Sequence, residues 1–230
     1  SWNVSWSYSN TARQGTGNNN ASDNTSEQIY MLSLSVPLSG WWGNSYATYS
    51  VSQNDNSGSS HQLGLSGTAL ERNNLSWNLM QSYNSHDDEV GGNMSLTYDG
   101  TYGTVNGSYN YSQNSQRLNY GIRGGILAHS EGVTLSQELG ETIALVKAPG
   151  AAGLEIDNMR GAATDWRGYT VKTQLNPYDE NRVAISDNYF SKSNIELDNT
   201  VVTMVPTRGA VVKAEFVTHV GYRVLFKVVN

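Results

Sequence analysis

The chain contains no cysteine, so it carries no disulfide and no thiolate-held metal. Charge is scarce too. Charged residues are 15% of the chain, against roughly 25% in ordinary soluble domains. No apolar run approaches the roughly 20 residues of a membrane helix. That excludes a helical crossing and leaves a strand crossing open. The net charge is −6 and no basic patch stands out, which argues against a nucleic-acid partner. His61, His86, His129 and His219 lack the spacing of zinc ligands. His86-Asp87-Asp88-Glu89 lacks the spacing of a calcium loop and reads as a solvated loop. No Ser/His/Asp arrangement or Gly-rich phosphate loop has a supporting context. No catalytic site, cofactor or metal is expected.

What fills the space left by charge is Gly, Ser, Asn, Thr and Tyr. Disordered chains share that polarity but are poor in aromatics. Here 14 Tyr and 6 Trp accompany 3 Phe, and Tyr and Trp concentrate where apolar and wet surroundings meet. Their placement is regular. Trp2, Val4, Trp6 and Tyr8 alternate with Ser and Asn, and Tyr30, Leu32, Leu34 and Val36 repeat the pattern. So do Leu63 and Leu65, Leu75, Trp77 and Leu79, Met94, Leu96 and Tyr98, and Val105, Tyr109 and Tyr111. A period of two marks strands with one apolar and one polar face. Polar loops at Asn10–Gln28, Asn54–Ser60 and His86–Gly92 alternate with tight turns at Trp41-Trp42, Glu71–Asn74 and Asp99-Gly100. Two-faced strands of about ten residues with unequal loops describe an antiparallel transmembrane β-barrel. The fold class is all-β, and the alternating runs amount to about a dozen strands. The longer loops are expected outside the cell and the tight turns in the periplasm.

Arg117–Gln137 is the stretch around which the chain is organised. Leu118, Tyr120 and Ile122 alternate with Asn119, Gly121 and Arg123, His129-Ser130-Glu131-Gly132 supplies turn chemistry, and Val133 and Leu135 resume the alternation. It reads as a hairpin. Beyond Glu141 the pattern is less regular, with strands expected near Trp166–Thr173, Arg182–Ser186 and Val201–Val205. The last run, Ala210–Val229, separates by parity. Val212, Ala214, Phe216, Val220, Val224 and Phe226 share one face. Lys213, Glu215, His219, Arg223 and Lys227 share the other and are the candidates for facing the lumen. As one strand it would be roughly 60 Å long. Asp165-Trp166-Arg167 reads as a turn held by an Asp–Arg pair with an aromatic anchor, the alternative being a lumen contact.

Several segments carry a resemblance: GGILAHSEGVTLSQ (124–137), ALVKAPGAAG (144–153), TDWRGYTV (164–171), PYDENRVAI (177–185) and LDNTVVTMVPTRGAVVKAEF (197–216). Through them the chain resembles the outer-membrane usher of the bacterial chaperone–usher pathway. The resemblance implies a pore of about two dozen strands, within the range of known barrels. It would secrete pilus subunits delivered by a periplasmic chaperone, with energy from exchange of donor strands between subunits. Partners would be those subunits, the chaperone, outer-membrane lipid and the remaining usher domains. Residues 1–230 are expected to belong to one barrel domain, its C-terminal half, excised from a longer protein. The plug, the N-terminal domain and the C-terminal periplasmic domains are expected to be absent. Competing readings are an autotransporter-like or adhesin β domain, and a soluble carbohydrate-binding β-sandwich.

Overall fold

The computed structural model describes residues 2–14, 24–39, 43–54, 58–186 and 195–221. It contains β1 (Asn3–Gln14), β2 (Asn24–Pro37), β3 (Ser45–Asn54), β4 (Gly58–Ala69), β5 (Leu75–Asn84), β6 (Glu89–Gly100), β7 (Gly103–Ser112) and β8 (Ser115–Arg123). After them come β9 (Gly125–His129), β10 (Gly132–Ser136), β11 (Ile143–Lys147), β12 (Tyr169–Lys172) and β13 (Asn181–Ala184). Then follow β14 (Ile195–Leu197), β15 (Val201–Met204), β16 (Val211–Glu215) and β17 (Thr218–Val220). Among the described residues, no helix is long and apolar enough to cross a membrane.

β1 to β8 form one eight-stranded sheet in chain order. These eight account for the regular part of the dozen strands expected. The register puts like chemistry on like face. One rung runs Trp6, Leu32, Val51, His61, Tyr83, and another runs Val4, Leu34, Tyr49, Leu63, Gln81. The intervening rung runs Ser5, Ser33, Ser50, Gln62, Ser82. A one-residue slip would exchange the faces, so the pattern fixes the register. The apolar face is open: Trp6 is 68% exposed and Leu63 51%. All apolar side chains buried among the described residues lie between Ile143 and Phe216. A sheet with an apolar face and no core of its own is one whose solvent on that side is lipid.

The strands outrun the expected loops. β1 and β2 pair from Asn3↔Ser35 to Gln14↔Asn24, so much of the polar stretch Asn10–Gln28 is strand. A period-two signal fades where both faces meet water, and backbone pairing continues without it. Trp41-Trp42 lies outside the described residues.

The chain divides into two compact units, where one domain was expected. The first is residues 1–70, 75–97 and 106–120; the second is 71–74, 98–105 and 121–230. The second holds a core of soluble type: Ala144, Val146, Ala148, Leu154, Ile156, Val183, Ile185, Ala214 and Phe216 are buried together, with Met159, Val202 and Met204 packed against them. β11 lies at the centre of a three-stranded sheet, antiparallel to β12 and parallel to β16. β9 and β10 form a hairpin, β13 pairs with β15 and β14 with β17.

The single strand expected over Ala210–Val229 is also corrected. β16 ends at Glu215, Phe216 and Val217 interrupt the pairing, and β17 starts at Thr218. The even parity of this run meets protein, since Ala214 and Phe216 are fully buried in the core. The side chain of Val220, and residues Val224 and Phe226, lie outside the described set.

Candidate functional site

Two features carry functional chemistry. The first is the polar face of the meander. Across Asn3–Thr11, Ile29–Val36, Tyr46–Gln53, Ser59–Ala69, Leu75–Asn84, Val90–Tyr98 and Thr104–Ser112 there is no Asp, Glu, Lys or Arg. The polar face is built of hydroxyls and amides that satisfy one another. Ser5 and Ser33 share a hydrogen bond of 2.6 Å, and Asn93 Nδ2 donates to Asn110 Oδ1 at 2.6 Å. Over those spans the wall is wettable and offers no charge partner; charge returns on β8, with Arg117 and Arg123. On the apolar face, His61 sits between tyrosines. Its Nδ1 lies 2.8 Å from the Tyr49 hydroxyl, and its ring is flanked by those of Tyr49 and Tyr83. Tyrosines that clothe a polar group in this way suit the aromatic girdle of a barrel.

The second feature is an ion-pair cluster in the second unit. Gly132 has φ +129°, and the tight turn it forms with Ser130 and Glu131 presents the Glu131 side chain from the end of the β9–β10 hairpin. Lys147 at the end of β11 reaches it at 2.7 Å, and also meets Glu215 of β16 at 3.2 Å. Lys213 lies 3.5 Å from Glu131, and the Tyr169 hydroxyl donates to Glu131 Oε2 at 2.9 Å. The Lys147 ammonium, then the Tyr169 hydroxyl, hold the Glu131 carboxyl down at about 2. Glu131 in turn raises Lys147. Burial, then Glu131, raises Tyr169. One carboxylate thus ties a hairpin to three strands.

Asp165, Trp166 and Arg167 form the adjoining turn. Asp165 Oδ1 accepts from the backbone N–H of Arg167 at 2.8 Å and of Tyr169 at 2.9 Å, an Asx-type closure. The Arg167 guanidinium sits 3.3 Å from Asp165 and donates to the carbonyls of Glu131 and Val133. Gly168 has φ +88°, and a Cβ there would run into the Ala148 carbonyl oxygen. Trp166 is 79% exposed, whereas Tyr169 is 8% exposed. The buried aromatic of the turn is therefore Tyr169, and Trp166 points away from the core.

Of the residues read as lumen-facing, Lys213 and Glu215 join the Glu131 cluster. His219 pairs with Asp198 at 3.0 Å. Arg223 and Lys227 lie outside the described residues. Glu131 was legible only as turn chemistry, and Lys147 and Tyr169 gave no local signal, because their partnership spans distant segments. Among the described residues, no group of three or more His, Asp or Glu side chains is placed to hold a metal.

The family model described as outer membrane usher protein matches residues 1–216. The chain belongs to that family. The usher chain is 42% identical over 200 residues to the outer membrane usher protein LpfC of Salmonella typhimurium, covering 87% of this chain and 23% of LpfC. It is 41% identical over 210 residues to the outer membrane usher protein FimD of Escherichia coli K12, covering 86% of this chain and 24% of FimD. It therefore spans about a quarter of the length of these curated relatives. A cryo-EM structure of an E. coli P pilus tip assembly intermediate, PapC-PapD-PapK-PapG, shares the fold. The TM-score is 0.64 at 19% identity, with 96% of this chain and 28% of that chain covered. The usher chain is a bacterial outer-membrane protein, in keeping with the lipid-suited face of its meander.

Proposed function

We propose that β1 to β8 form part of the wall of a secretion pore. Pilus subunits, brought by a periplasmic chaperone, pass through it during fimbrial assembly. The work is passage and assembly, with no catalysis. The observation that carries this reading is the two-faced meander: apolar on one side, hydroxyl- and amide-rich on the other, with charge confined to strand ends and to β8, and with no apolar core of its own. The core-bearing second unit is, in this proposal, a periplasmic domain that works in water. That replaces the expectation that all of the chain lies in the barrel and that every periplasmic domain is absent. Lys213, Glu215 and His219 then face the periplasm instead of the lumen.

Crosslinking tests the wall. Photoreactive groups placed at Ser50 and at Tyr49 of the intact usher lie on opposite faces of β3. During pilus secretion, Ser50 is expected to trap subunits and Tyr49 to trap lipid. Subunit crosslinks from Tyr49 and none from Ser50 would reverse the faces. None from either would remove the pore-wall reading.

A further inference from the structure

We infer that Trp166 is a membrane-interface anchor, seating the second unit against the phospholipid headgroups at the edge of the bilayer. A lone exposed tryptophan means little. This one shares its surroundings with other exposed apolar side chains of the second unit. Ile122 keeps the parity of Leu118 and Tyr120 on β8, and Ile126 stands exposed on β9. β10 extends that face, because Leu135 pairs with Ile126 and Val133 with Ala128. Ile122 is 81% exposed, Ile126 70% and Val133 52%. Tyr102, Val133, Leu135 and Trp166 line one open cleft with Asp165 and Arg167. Tyr102 and Ile122 also share a neighbouring cleft with Tyr98 and Val105.

The chemistry selects the headgroup zone over the bilayer centre. Trp and Tyr prefer the membrane–water boundary, where an apolar ring and a polar edge are both satisfied. The Arg167 guanidinium lies 5.7 Å from the Trp166 ring and is itself held by Asp165 and the carbonyls of Glu131 and Val133. The turn beneath is fixed. Asp165, Gly168 and Tyr169 are buried, and Asp165 holds two backbone N–H groups. The indole is therefore presented on a rigid mount.

The inference rests on the pore-wall reading, so its test carries a position for each. In the intact usher, reconstituted into phosphatidylethanolamine–phosphatidylglycerol vesicles, single cysteines replace Tyr120, Trp166 or Tyr178 and carry an environment-sensitive fluorophore. Heat-modifiable mobility confirms that each variant is folded. Tyr120 reports the lipid face, and Tyr178, 70% exposed in the second unit, reports water. The expected result is quenching at 120 by lipids brominated deep in the acyl chain. At 166, a quencher attached at headgroup depth should act and aqueous iodide should not. At 178, iodide alone should act. Iodide quenching at 166 with lipid quenching retained at 120 would overturn the anchor and leave the pore wall standing. Iodide quenching at 120 would remove both. Protection of 166 that appears only at high protein-to-lipid ratio would assign the patch to a second copy. Protection only on adding a chaperone–subunit complex would assign it to a protein partner. Either overturns the lipid assignment.

Discussion

The meander and the second unit are built from the same kind of strand and solve opposite problems. In the meander, Leu63 is 51% exposed and Trp6 68%; in the second unit, Val146, Val183 and Phe216 are fully buried. The meander draws its stability from closed backbone pairing and from the solvent on each side, as lipid requires. The second unit draws it from apolar area taken out of water, at about 25 cal/mol per Å². An apolar side chain therefore has a different value in each. An outward-facing Leu or Trp on the meander is no defect where lipid covers it, whereas exposing the buried cluster around Val146 and Phe216 would unfold the second unit.

The largest effect expected from this contrast is at Phe216. Phe216→Ala should cost about 3–5 kcal/mol in the second unit, from lost transfer and the cavity left behind. Leu63→Ala should change stability by under about 0.5 kcal/mol. Pulse proteolysis across a urea series reads both, with Phe216→Ala shedding the second unit while the heat-modifiable barrel band persists. Equal losses would mean that the two regions share one core. Next in size is a charge on the lipid face. Leu63→Arg should cost about 2–4 kcal/mol if the residue lies near mid-membrane, while its neighbour Gln62→Arg stays within about 0.5 kcal/mol. Folding yield into vesicles measures the pair, and similar damage from both would abolish the distinction between faces.

Within the second unit, Asp165→Ala leaves two backbone N–H groups and Arg167 without their acceptor. A loss of about 1–3 kcal/mol is expected, seen as a lower urea midpoint with the barrel band unchanged.

Glu131→Gln is the smallest and most conditional change. The folded Glu131 is held down at about 2, against 4.5 in its ordinary state. A depressed carboxyl binds protons less well when folded, so its contribution is complete above about pH 4.5 and is lost as the pH falls toward 2. The gap in urea midpoint between wild type and Glu131→Gln should be constant from neutral pH to about 4.5, then close by about pH 2. It should also narrow in high salt, since the cluster is partly exposed. A gap that widens on acidification would reverse the assignment.

The meander was legible because lipid on one side and water on the other write a period of two into Trp2 through Tyr111. The second unit was not. β11 is buried from Ile143 to Val146 on both faces, so no alternation marks it as a strand of a separate domain. Alternation from Ala210 onward was genuine, but it shows only that a strand has two faces. It does not say what the apolar face meets, and here Ala214 and Phe216 meet Val146 and Leu154 in the core. In the same way the composition of Asp165-Trp166-Arg167 announces a turn, yet cannot say that Tyr169 takes the buried place and Trp166 the exposed one. The Glu131 cluster joins residues from a hairpin, β11, β12 and β16, and nothing local encodes such a meeting.

The parallel pairing of β11 with β16 sets an order of events. Ile143 finds its partner only when Val211 has arrived, so the sheet cannot close until nearly all of the second unit has been made and exported. Closing so long a loop is slow. Meanwhile Ile143-Ala144-Leu145-Val146 is a short, uncharged, β-prone segment without its neighbour, the kind that associates with other unfinished chains. Its flanks carry Glu141, Lys147 and Pro149. Charges and a proline at the ends of a sticky strand act as gatekeepers. Lys147 therefore serves twice, first keeping the waiting strand apart from its fellows, then pairing with Glu131 once the sheet is complete.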